Sequence, residues 1–441
     1  MNIDEIKKKV SDIIEENANK IINDGEQIAK NPELGFREFK TSNFVKDRFR
    51  SLNIPFKDGL GITGIRADLK GKDNKCRVGY LAELDALMCP NHPKANPKTG
   101  VAHACGHNIQ IAVLLGVLES LMKAGIKDCI DGDIAFMAVP AEELGQLEDR
   151  KSLKEKGKIE FFTGKQELIA EGIFDDIDMA LMFHVQIPKV EGKIVTSGGT
   201  MNGALAKYVQ YKGLASHAGS APHLGINALN AAMLGLQAIH AQRETFREED
   251  CIRIHPIITK GGTVVNTVPD DVRLELFVRA KNFEALANTS KKVDRAFKAG
   301  ADAIGAEVKI ENIPGFMPLN PNKLLDKVFL DNAKIIFGAE KIGKCPHING
   351  STDMGDLSQI IPAIHPWIHV VKGKLHGADF EITDPYIAYI QSARIISWTL
   401  IDLLANGAEK GLEIKNNSRN PMNKEKWLEN WLELVRKDIN I

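Results

Sequence analysis

Three side chains that can bind a metal stand at alternate positions in the segment VAHACGHNIQ, residues 101–110. His103, Cys105 and His107 precede an apolar run that predicts a helix. A thiol binds metal as the thiolate, and a position just before a helix favours that form of Cys105. No second close Cys/His pair follows, which argues against a closed structural zinc site and for ligands from distant segments. The alternative is a buried cysteine beside hydrogen-bonded histidines.

Two adjacent carboxylates, Glu142 and Glu143, follow an apolar strand in VPAEELG. One of them could bind a cation while the other takes a proton from water activated by a metal. Glutamate pairs are common on surfaces, but Pro140 and Ala141 turn the chain here directly after a strand. His184 lies in the apolar segment LMFHVQ, where a histidine is ordinarily a hydrogen-bonded core residue.

The elements around these residues predict an α/β fold. Apolar strands alternate with helices, which favours a mixed, mostly parallel sheet sandwiched by helices. In such sheets, ligands gather at the carboxyl ends of strands. Five residues stand where an apolar strand ends, and they could therefore converge in space: Glu83, Asp85, Glu142, Glu143 and His184.

The segment from residue 199 to residue 308 has a different pattern. Its apolar residues alternate as in half-buried antiparallel strands, and two helical segments separate them. We predict an inserted α+β domain at 199–308 and a discontinuous catalytic domain formed by 1–198 and 309–441. The C-terminal segment carries Trp427 and Trp431 at helical spacing, which predicts a helix packed on the body of the protein.

Composition narrows the class of protein. The chain has 441 residues, 57 Lys and Arg against 58 Asp and Glu, and a formal net charge of -1, so no overall field attracts nucleic acid or an anionic membrane. The first residues form an amphipathic helical pattern rather than a signal peptide, and no transmembrane segment is evident. Six cysteines without a dense framework indicate reduced thiols, most of them buried. We expect a cytoplasmic protein.

The ordered motifs resemble a known family. They are similar to those of the aminoacylase/carboxypeptidase metallopeptidases, in the amidohydrolase branch that includes hippurate hydrolase. Asn108 and two of the motifs are most similar to the sub-branch of aminobenzoyl-glutamate hydrolases and β-alanyl-lysine type dipeptidases. The resemblance extends from about Asn31 to near Leu404. It rests on NPELGF, ELDAL, HACGHN, VPAEE, ALMFH, KGLASHAG, GGTVVNTVPD, STDMGD and LHGADF.

This resemblance implies a zinc-peptidase-like catalytic domain with two divalent metal ions, and an insert that serves as a lid and dimerisation domain. Cys105 would bridge the metals, with His107 and His184 on one metal and Glu143 and His376 on the other. Zinc is the expected metal, and manganese, cobalt or nickel are alternatives. Glu83 stands where more distant relatives have a metal-binding histidine, and we do not assign it as a ligand.

The resemblance also implies the catalytic roles. Glu142 would be the general base, and Asp85 would orient a metal ligand. His217, supplied by the other copy in a homodimer, would stabilise the oxyanion, although His217 and Ser216 could instead cap the following loop. Asn266 and Arg279 match positions that contact the substrate carboxylate.

The expected reaction is hydrolysis of the amide bond of an N-acyl amino acid or a dipeptide-like substrate. A peptidase that cleaves unblocked dipeptides is a second possibility, and a catalytically silent ligand-binding relative is a third. Two insertions, after Leu87 and after Glu143, are expected beside the site, where they would influence substrate identity more than chemistry.

Overall fold

The computed structural model describes residues 2–188 and 190–435, and the backbone of 439–440. Within them the α-helices are α1 Ile3–Glu16, α2 Ala18–Ala29, α3 Phe39–Ser51, α4 His107–Ala124, α5 Leu147–Glu155, α6 Gly164–Ala170, α7 Ala228–Ala241, α8 Phe283–Ile304, α9 Lys323–Phe337, α10 Met354–Ile360, α11 Ser392–Leu404, α12 Glu409–Asn417 and α13 Lys424–Val435.

The strands of the same residues are β1 Phe56–Leu60, β2 Gly64–Leu69, β3 Arg77–Glu83, β4 Leu87–Met88, β5 Val101–Ala102, β6 Asp133–Val139, β7 Met179–Leu181, β8 His184–Val185, β9 Val195–Ser197, β10 Gly203–Lys212, β11 Arg253–Lys260, β12 Asp271–Ala280, β13 Glu307–Phe316, β14 Ile342–Lys344, β15 Ala363–Ile364, β16 Trp367–Ile368, β17 Val371–Lys372, β18 Glu381–Ile382 and β19 Ile439–Asn440.

The chain forms two units, and the first contains residues 1–199, 320–347 and 356–421. Its main sheet has the order β1-β2-β6-β3-β7-β15. The neighbours from β6 to β15 pair in parallel, and β1 and β2 add antiparallel partners at one edge. The predicted α/β fold with a mixed, mostly parallel sheet is therefore confirmed. A four-stranded sheet, β14-β9-β16-β8, belongs to the same unit.

Helix α4 forms the centre of the hydrophobic core in this unit. It packs against β3 and β6, and α1, α2 and α11 pack against it. All its residues except Met122 and Lys123 are buried, including the one acidic residue, Glu119. Such a helix has no solvent face, which is why its sequence is apolar almost throughout.

The second unit contains residues 200–319, 348–355 and 422–441. Its antiparallel sheet has the order β11-β12-β10-β13-β19, with α7 and α8 packed on it. The end predicted for the inserted domain, residue 308, falls inside strand β13, and the whole strand belongs to this unit, whose first segment ends at Leu319. Helix α13 packs against β13, and its Trp427 and Trp431 are fully buried.

Two further features bear on the expectations from sequence. All six cysteines are free; Cys76, Cys89, Cys105 and Cys345 are buried, whereas Cys129 and Cys251 are only half-buried. None of the described helices has the length and apolar character required to cross a membrane.

Candidate metal centre and active site

The carboxyl ends of three neighbouring strands supply the polar residues of the site. β6, β3 and β7 lie side by side and run in parallel, so their ends meet at one edge of the sheet. Asp85 follows β3, Glu142 and Glu143 follow β6, and His184 begins β8 just after β7. Apolar strands buried on both faces thus deliver four polar side chains to one place.

The segment before α4 joins them through a glycine. Gly106 has a φ of +93°, and a Cβ atom there would lie 2.3 Å from Cγ2 of Val185, the residue after His184. Only glycine allows this backbone conformation and this approach together. The turn at Gly106 thereby places Cys105 and His107 beside His184.

Two groups of candidate ligand atoms share the thiol of Cys105. The ligand atoms of Cys105, His107 and His184 all lie within 4.8 Å of one another, and so do those of Cys105, Glu143 and His376. The Cys105 sulfur is 3.4 Å from Nε2 of His184, and Nε2 of His376 is 3.0 Å from Oε1 of Glu143. Thiolate, imidazole and carboxylate in this arrangement form a donor set for two divalent ions.

The unsatisfied polar atoms of the site fit this donor set. Nε2 of His107 and Oε1 of Glu143 are buried and have no partner in good hydrogen-bond geometry among the described residues; each lies only beside another ionisable group, Oε2 of Glu83 at 3.1 Å and Nε2 of His376 at 3.0 Å. Buried polar atoms are ordinarily hydrogen-bonded, so atoms without such a bond are expected where a cation is to be held. The residues present therefore fit two metal ions.

Asp85 fixes one residue of each ligand group. Its Oδ1 is 3.1 Å from Nδ1 of His107, and its Oδ2 accepts a hydrogen bond of 2.9 Å from the backbone N–H of Glu143. The Asp85 backbone carbonyl lies 2.9 Å from the same imidazole nitrogen. A hydrogen bond at Nδ1 leaves Nε2 of His107 as the nitrogen that can bind a metal.

Mutual electrostatics hold the ligands in charged forms. Burial disfavours the Cys105 thiolate, but the neighbouring imidazoles of His184 and His107 hold its pKa at about 6. Burial likewise opposes the charged form of His376, but Glu143 and Cys105 raise its pKa to about 11. The pKa of Glu143 falls to about 2 because His376 outweighs the effect of burial.

Glu142 is buried beside the two ligand groups. Only 9% of its surface is exposed, and it forms a third close group with Glu83 and His107. Ala141, directly before it, has a φ of +50°. This left-handed turn lies directly before the two adjacent carboxylates and changes the direction of the chain after β6, where it carries both into the site.

Glu83 is bound by a buried lysine that sequence analysis missed. Nζ of Lys165 is 2.6 Å from Oε1 of Glu83, and neither side chain is exposed. Gln110 donates to the other carboxylate oxygen at 3.1 Å, which also lies 3.1 Å from Nε2 of His107. Burial alone would raise the pKa of Glu83, but Lys165 and His107 lower it well below its usual value.

Two further buried histidines of this unit were not assigned to the site from sequence. His103 and His365 have no hydrogen bond at either ring nitrogen among the described residues. Burial and the neighbouring His107 lower the pKa of His103 to about 3. The ring of His365 lies 4.7 Å from Trp367 and 5.7 Å from His184. Its apolar sequence context gave no signal beyond that of a core residue.

Both insertions contribute to this unit's site. The hairpin β4–β5 carries Cys89, whose thiol lies 3.6 Å from the backbone carbonyl of His376. The second insertion forms α5 and leads into α6, which carries Lys165. Arg150 of α5 donates to the backbone carbonyl of Glu143. Each insertion therefore contacts a residue of the second ligand group, which consists of Cys105, Glu143 and His376.

Three other predicted site residues lie in the second unit. Nδ1 of His217 accepts hydrogen bonds of 3.1 Å from the N–H groups of Gly219 and Ser220, and Ser216 donates to the carbonyl of Ala221. The loop-capping contacts considered for His217 and Ser216 are therefore present. With Nδ1 an acceptor, the exposed imidazole carries its proton on Nε2.

The two predicted carboxylate-binding residues differ in their surroundings. Asn266 is exposed, and its backbone carbonyl accepts from Ala218 at 2.9 Å. Arg279 is half-buried in β12, where its guanidinium donates to Ser351 at 2.7 Å and lies over the ring of Phe277. Arg279 is thus held beside the first residue of the STDMGD motif.

Known proteins share this sequence and fold. The Xaa-Arg dipeptidase of Homo sapiens is 29% identical to this chain, and the match covers 68% of this chain and 62% of that protein. The Xaa-Arg dipeptidase of Mus musculus is 26% identical, and the match covers 90% of this chain and 89% of that protein. The structure of a dinuclear metal-binding peptidase of the M20 family from Bacillus subtilis matches with a TM-score of 0.65 and 19% identity, covering 88% and 99% of the two chains.

The family assignment rests on the match of a family model to most of the chain. Residues 80–391 match the model of peptidase family M20/M25/M40. They include every ligand and carboxylate of the site described above. The resemblance inferred from the sequence motifs is confirmed, and the chain belongs to this family of hydrolases that act on peptide and amide bonds.

Proposed function

We propose that this protein is a metal-dependent amidohydrolase that cleaves the amide bond of an N-acyl amino acid or a dipeptide-like substrate. The observation that carries the proposal is the pair of ligand groups that share Cys105 and stand beside Glu142. A catalytically silent relative would be expected to lack a ligand or the base, and this chain retains all of them.

Five residues would hold the two metals: Cys105 between them, His107 and His184 on one, and Glu143 and His376 on the other. The dinuclear metal binding of the Bacillus subtilis structure supports this assignment. Thiolate and imidazole favour zinc, and manganese, cobalt or nickel could also bind. When bound, two such ions would polarise the substrate carbonyl and lower the pKa of an attacking water to about 7.

Glu142 would move the proton of the reaction. Its carboxylate would accept a proton from the attacking water as the new C–O bond forms. The resulting carboxylic acid would then give this proton to the amide nitrogen as the C–N bond breaks. Asp85 would keep His107 and Glu143 in place throughout.

Residues of the second unit would complete the site in a homodimer. The exposed Nε2–H of the partner subunit's His217 would donate to the developing oxyanion. Arg279 and Asn266 would bind the substrate carboxylate, for which a planar guanidinium is suited. Exposed apolar residues of this unit, Ile257 and Ile258 on edge strand β11 and Met233 on α7, support a contact between copies.

A second candidate function is hydrolysis of unblocked dipeptides. It is favoured by the similarity to the Xaa-Arg dipeptidase of Mus musculus over 90% of this chain. The same site would perform the same chemistry, and the two candidates differ in whether the substrate's amino terminus is free or acylated.

The decisive experiment combines metal content with turnover. Wild type, Glu142→Gln and the control Glu155→Gln, an exposed carboxylate on α5, are analysed by plasma mass spectrometry. They are then assayed with aminobenzoyl-glutamate, hippurate, N-acetyl amino acids, β-alanyl-lysine and dipeptides that end in arginine. We expect about two metals per chain in all three proteins, and a loss of kcat of about 100-fold or more in Glu142→Gln alone.

Each contrary result has a definite meaning. Wild type without metal after reconstitution would contradict the metal centre. Two metals without hydrolysis of any panel member would contradict the proposed substrate class. Preference for dipeptides over their N-acyl counterparts would favour the second candidate.

A further inference from the structure

The turn that carries Glu142 and Glu143 is strained. Ala141 is fully buried and has a φ of +50°, a conformation that residues with a Cβ atom seldom adopt. Such a turn persists where the surrounding structure enforces it. Glu142 follows Ala141 directly and Glu143 is one residue further on, so the direction in which the chain leaves this turn positions both carboxylates.

A buried carboxylate from a distant segment holds the turn. The backbone N–H of Ala141 donates a hydrogen bond of 2.7 Å to Oε1 of Glu38. The other oxygen of Glu38 accepts a hydrogen bond of 2.7 Å from the hydroxyl of Thr63. Glu38 is fully buried, so water does not compete for either bond.

Two glycines enclose the turn on its other sides. The N–H of Gly164 donates to the carbonyl of Ala141 at 3.1 Å, and a Cβ atom on Gly164 would lie 1.7 Å from the carbonyl oxygen of Pro140. A Cβ atom on Gly35 would lie 2.9 Å from the Cα and Cβ atoms of Ala141. Both backbone groups of Ala141 are thus bonded, and neighbouring backbone packs tightly against it.

We infer that Glu38 is a positioning residue for Glu142 and Glu143, and that it acts by stabilising the left-handed turn at Ala141. This inference rests on the proposed function, since it assigns Glu142 the role of base and Glu143 that of a ligand. Glu38 belongs to neither ligand group. It reaches the site through its hydrogen bond to the backbone of Ala141 and through its charge, since burial and the nearby charge of Asp85 raise the pKa of Glu38 to about 7.

A positioning role for Glu38 predicts a change in kcat that a purely structural role would not produce. Without Glu38, the turn relaxes and Glu142 is displaced, so kcat falls while KM changes little. A displacement of about 1 Å at a catalytic group is expected to lower kcat about 100-fold. Glu143 retains its bond to Asp85, so the affinity for the second metal falls less, by about 10-fold.

The test compares substitutions at three positions in the full-length protein. Glu38→Ala removes both hydrogen bonds, and Glu38→Gln retains an acceptor for Ala141. Thr63→Val, the matched control, removes only the hydroxyl that binds the same carboxylate. Ala141→Gly is combined with Glu38→Ala because glycine adopts a positive φ without support. The measurements are kcat, KM and titration with Co²⁺ followed by absorption.

We expect Glu38→Ala to lose kcat and second-site Co²⁺ affinity, and Glu38→Gln and Thr63→Val to retain most of both. Ala141→Gly should restore part of the kcat that Glu38→Ala loses. Unchanged kcat and Co²⁺ binding in Glu38→Ala, or no recovery in the double variant, would overturn the inference. If Glu38→Ala does not fold, Glu38→Asp, which is one methylene too short, takes its place in both comparisons.

The outcomes also separate this inference from the proposed function. If wild type hydrolyses no amide but Glu38→Ala weakens Co²⁺ binding, the positioning role stands and the proposed reaction fails. If wild type hydrolyses an amide and Glu38→Ala matches it in kcat, the reaction stands and the positioning role fails.

Discussion

Replacing Lys165 with methionine should destabilise the protein strongly, because it leaves the Glu83 carboxylate buried without its ammonium partner. The two groups are 2.6 Å apart and neither is exposed. At an effective dielectric constant of about 20, their attraction is about 6 kcal/mol. Desolvation offsets part of it, and removal of one partner from a buried pair costs about 3 to 5 kcal/mol. Gln110 still donates to Glu83 in the variant, so we expect a loss of stability at the lower end of this range, about 3 kcal/mol.

The assay is urea unfolding followed by circular dichroism, with a chelator present so that metal binding does not contribute. The double variant Lys165→Met/Glu83→Gln should recover most of the loss, because no unpaired charge remains. Lys207→Met is the matched control in the second unit. Its Nζ is 2.6 Å from Oδ1 of Asp294, and the pair is similarly buried. It should lose comparable stability, because an ammonium is again removed from a buried pair.

Two results would refute this reasoning. A loss below about 1 kcal/mol in Lys165→Met would mean that the pair behaves like an exposed one. A double variant less stable than the single variant would mean that Lys165 stabilises the protein by packing rather than by charge.

Two further predictions concern other carboxylates. Burial alone would raise the pKa of Glu119, but hydrogen bonds from two lysines lower it from 4.5 to about 2. Its ionised form therefore contributes stability that is complete above pH 4.5 and lost as the pH falls through 2. The free energy of unfolding should be about 1 to 2 kcal/mol higher in wild type than in Glu119→Gln near neutral pH. Urea unfolding at a series of lower pH values should show this difference shrinking, and a difference that grows in acid would contradict the prediction. Asp85→Asn keeps one side-chain acceptor for two donors, and the backbone carbonyl of residue 85 still accepts from His107, so Glu143 is the residue that loses its support. The affinity for one of two Co²⁺ ions should fall about 10- to 100-fold in titrations, and an equal loss at both would contradict this.

Much of the site could be predicted from sequence because its parts are local. Cys105 and His107 are two residues apart at a helix start, and Asp85 and Glu142 follow short, continuous apolar runs that indicate buried strands. Parallel strands that are neighbours must end at the same edge. His184 became informative through the family resemblance, since its local pattern is that of a core residue.

The position of Lys165 beside Glu83 could not be predicted from the sequence. It lies in a charged insertion, and charged segments are ordinarily solvated. Its burial depends on Glu83, which precedes it by 82 residues, and nothing local in either segment indicates the other. The same limit applies to α13: Trp427 and Trp431 predict burial, but not that the helix joins the second unit through β13.

The order of strands explains why one carboxylate can serve both ligand groups. β3 lies beside β6 in the sheet, and α4 packs against β3, so the residue that follows β3 can reach both the turn after β6 and the start of α4. Asp85 accordingly contacts His107 with one oxygen and the backbone of Glu143 with the other. The spacing of the ligand groups is then set by the sheet, which is rigid. The two insertions lie outside the sheet and contact the backbone carbonyls of His376 and Glu143. We therefore predict that sequence changes at insertion positions other than those that contact the site, such as Lys165 and Arg150, alter which substrate is bound while the positions of the ligand side chains are retained.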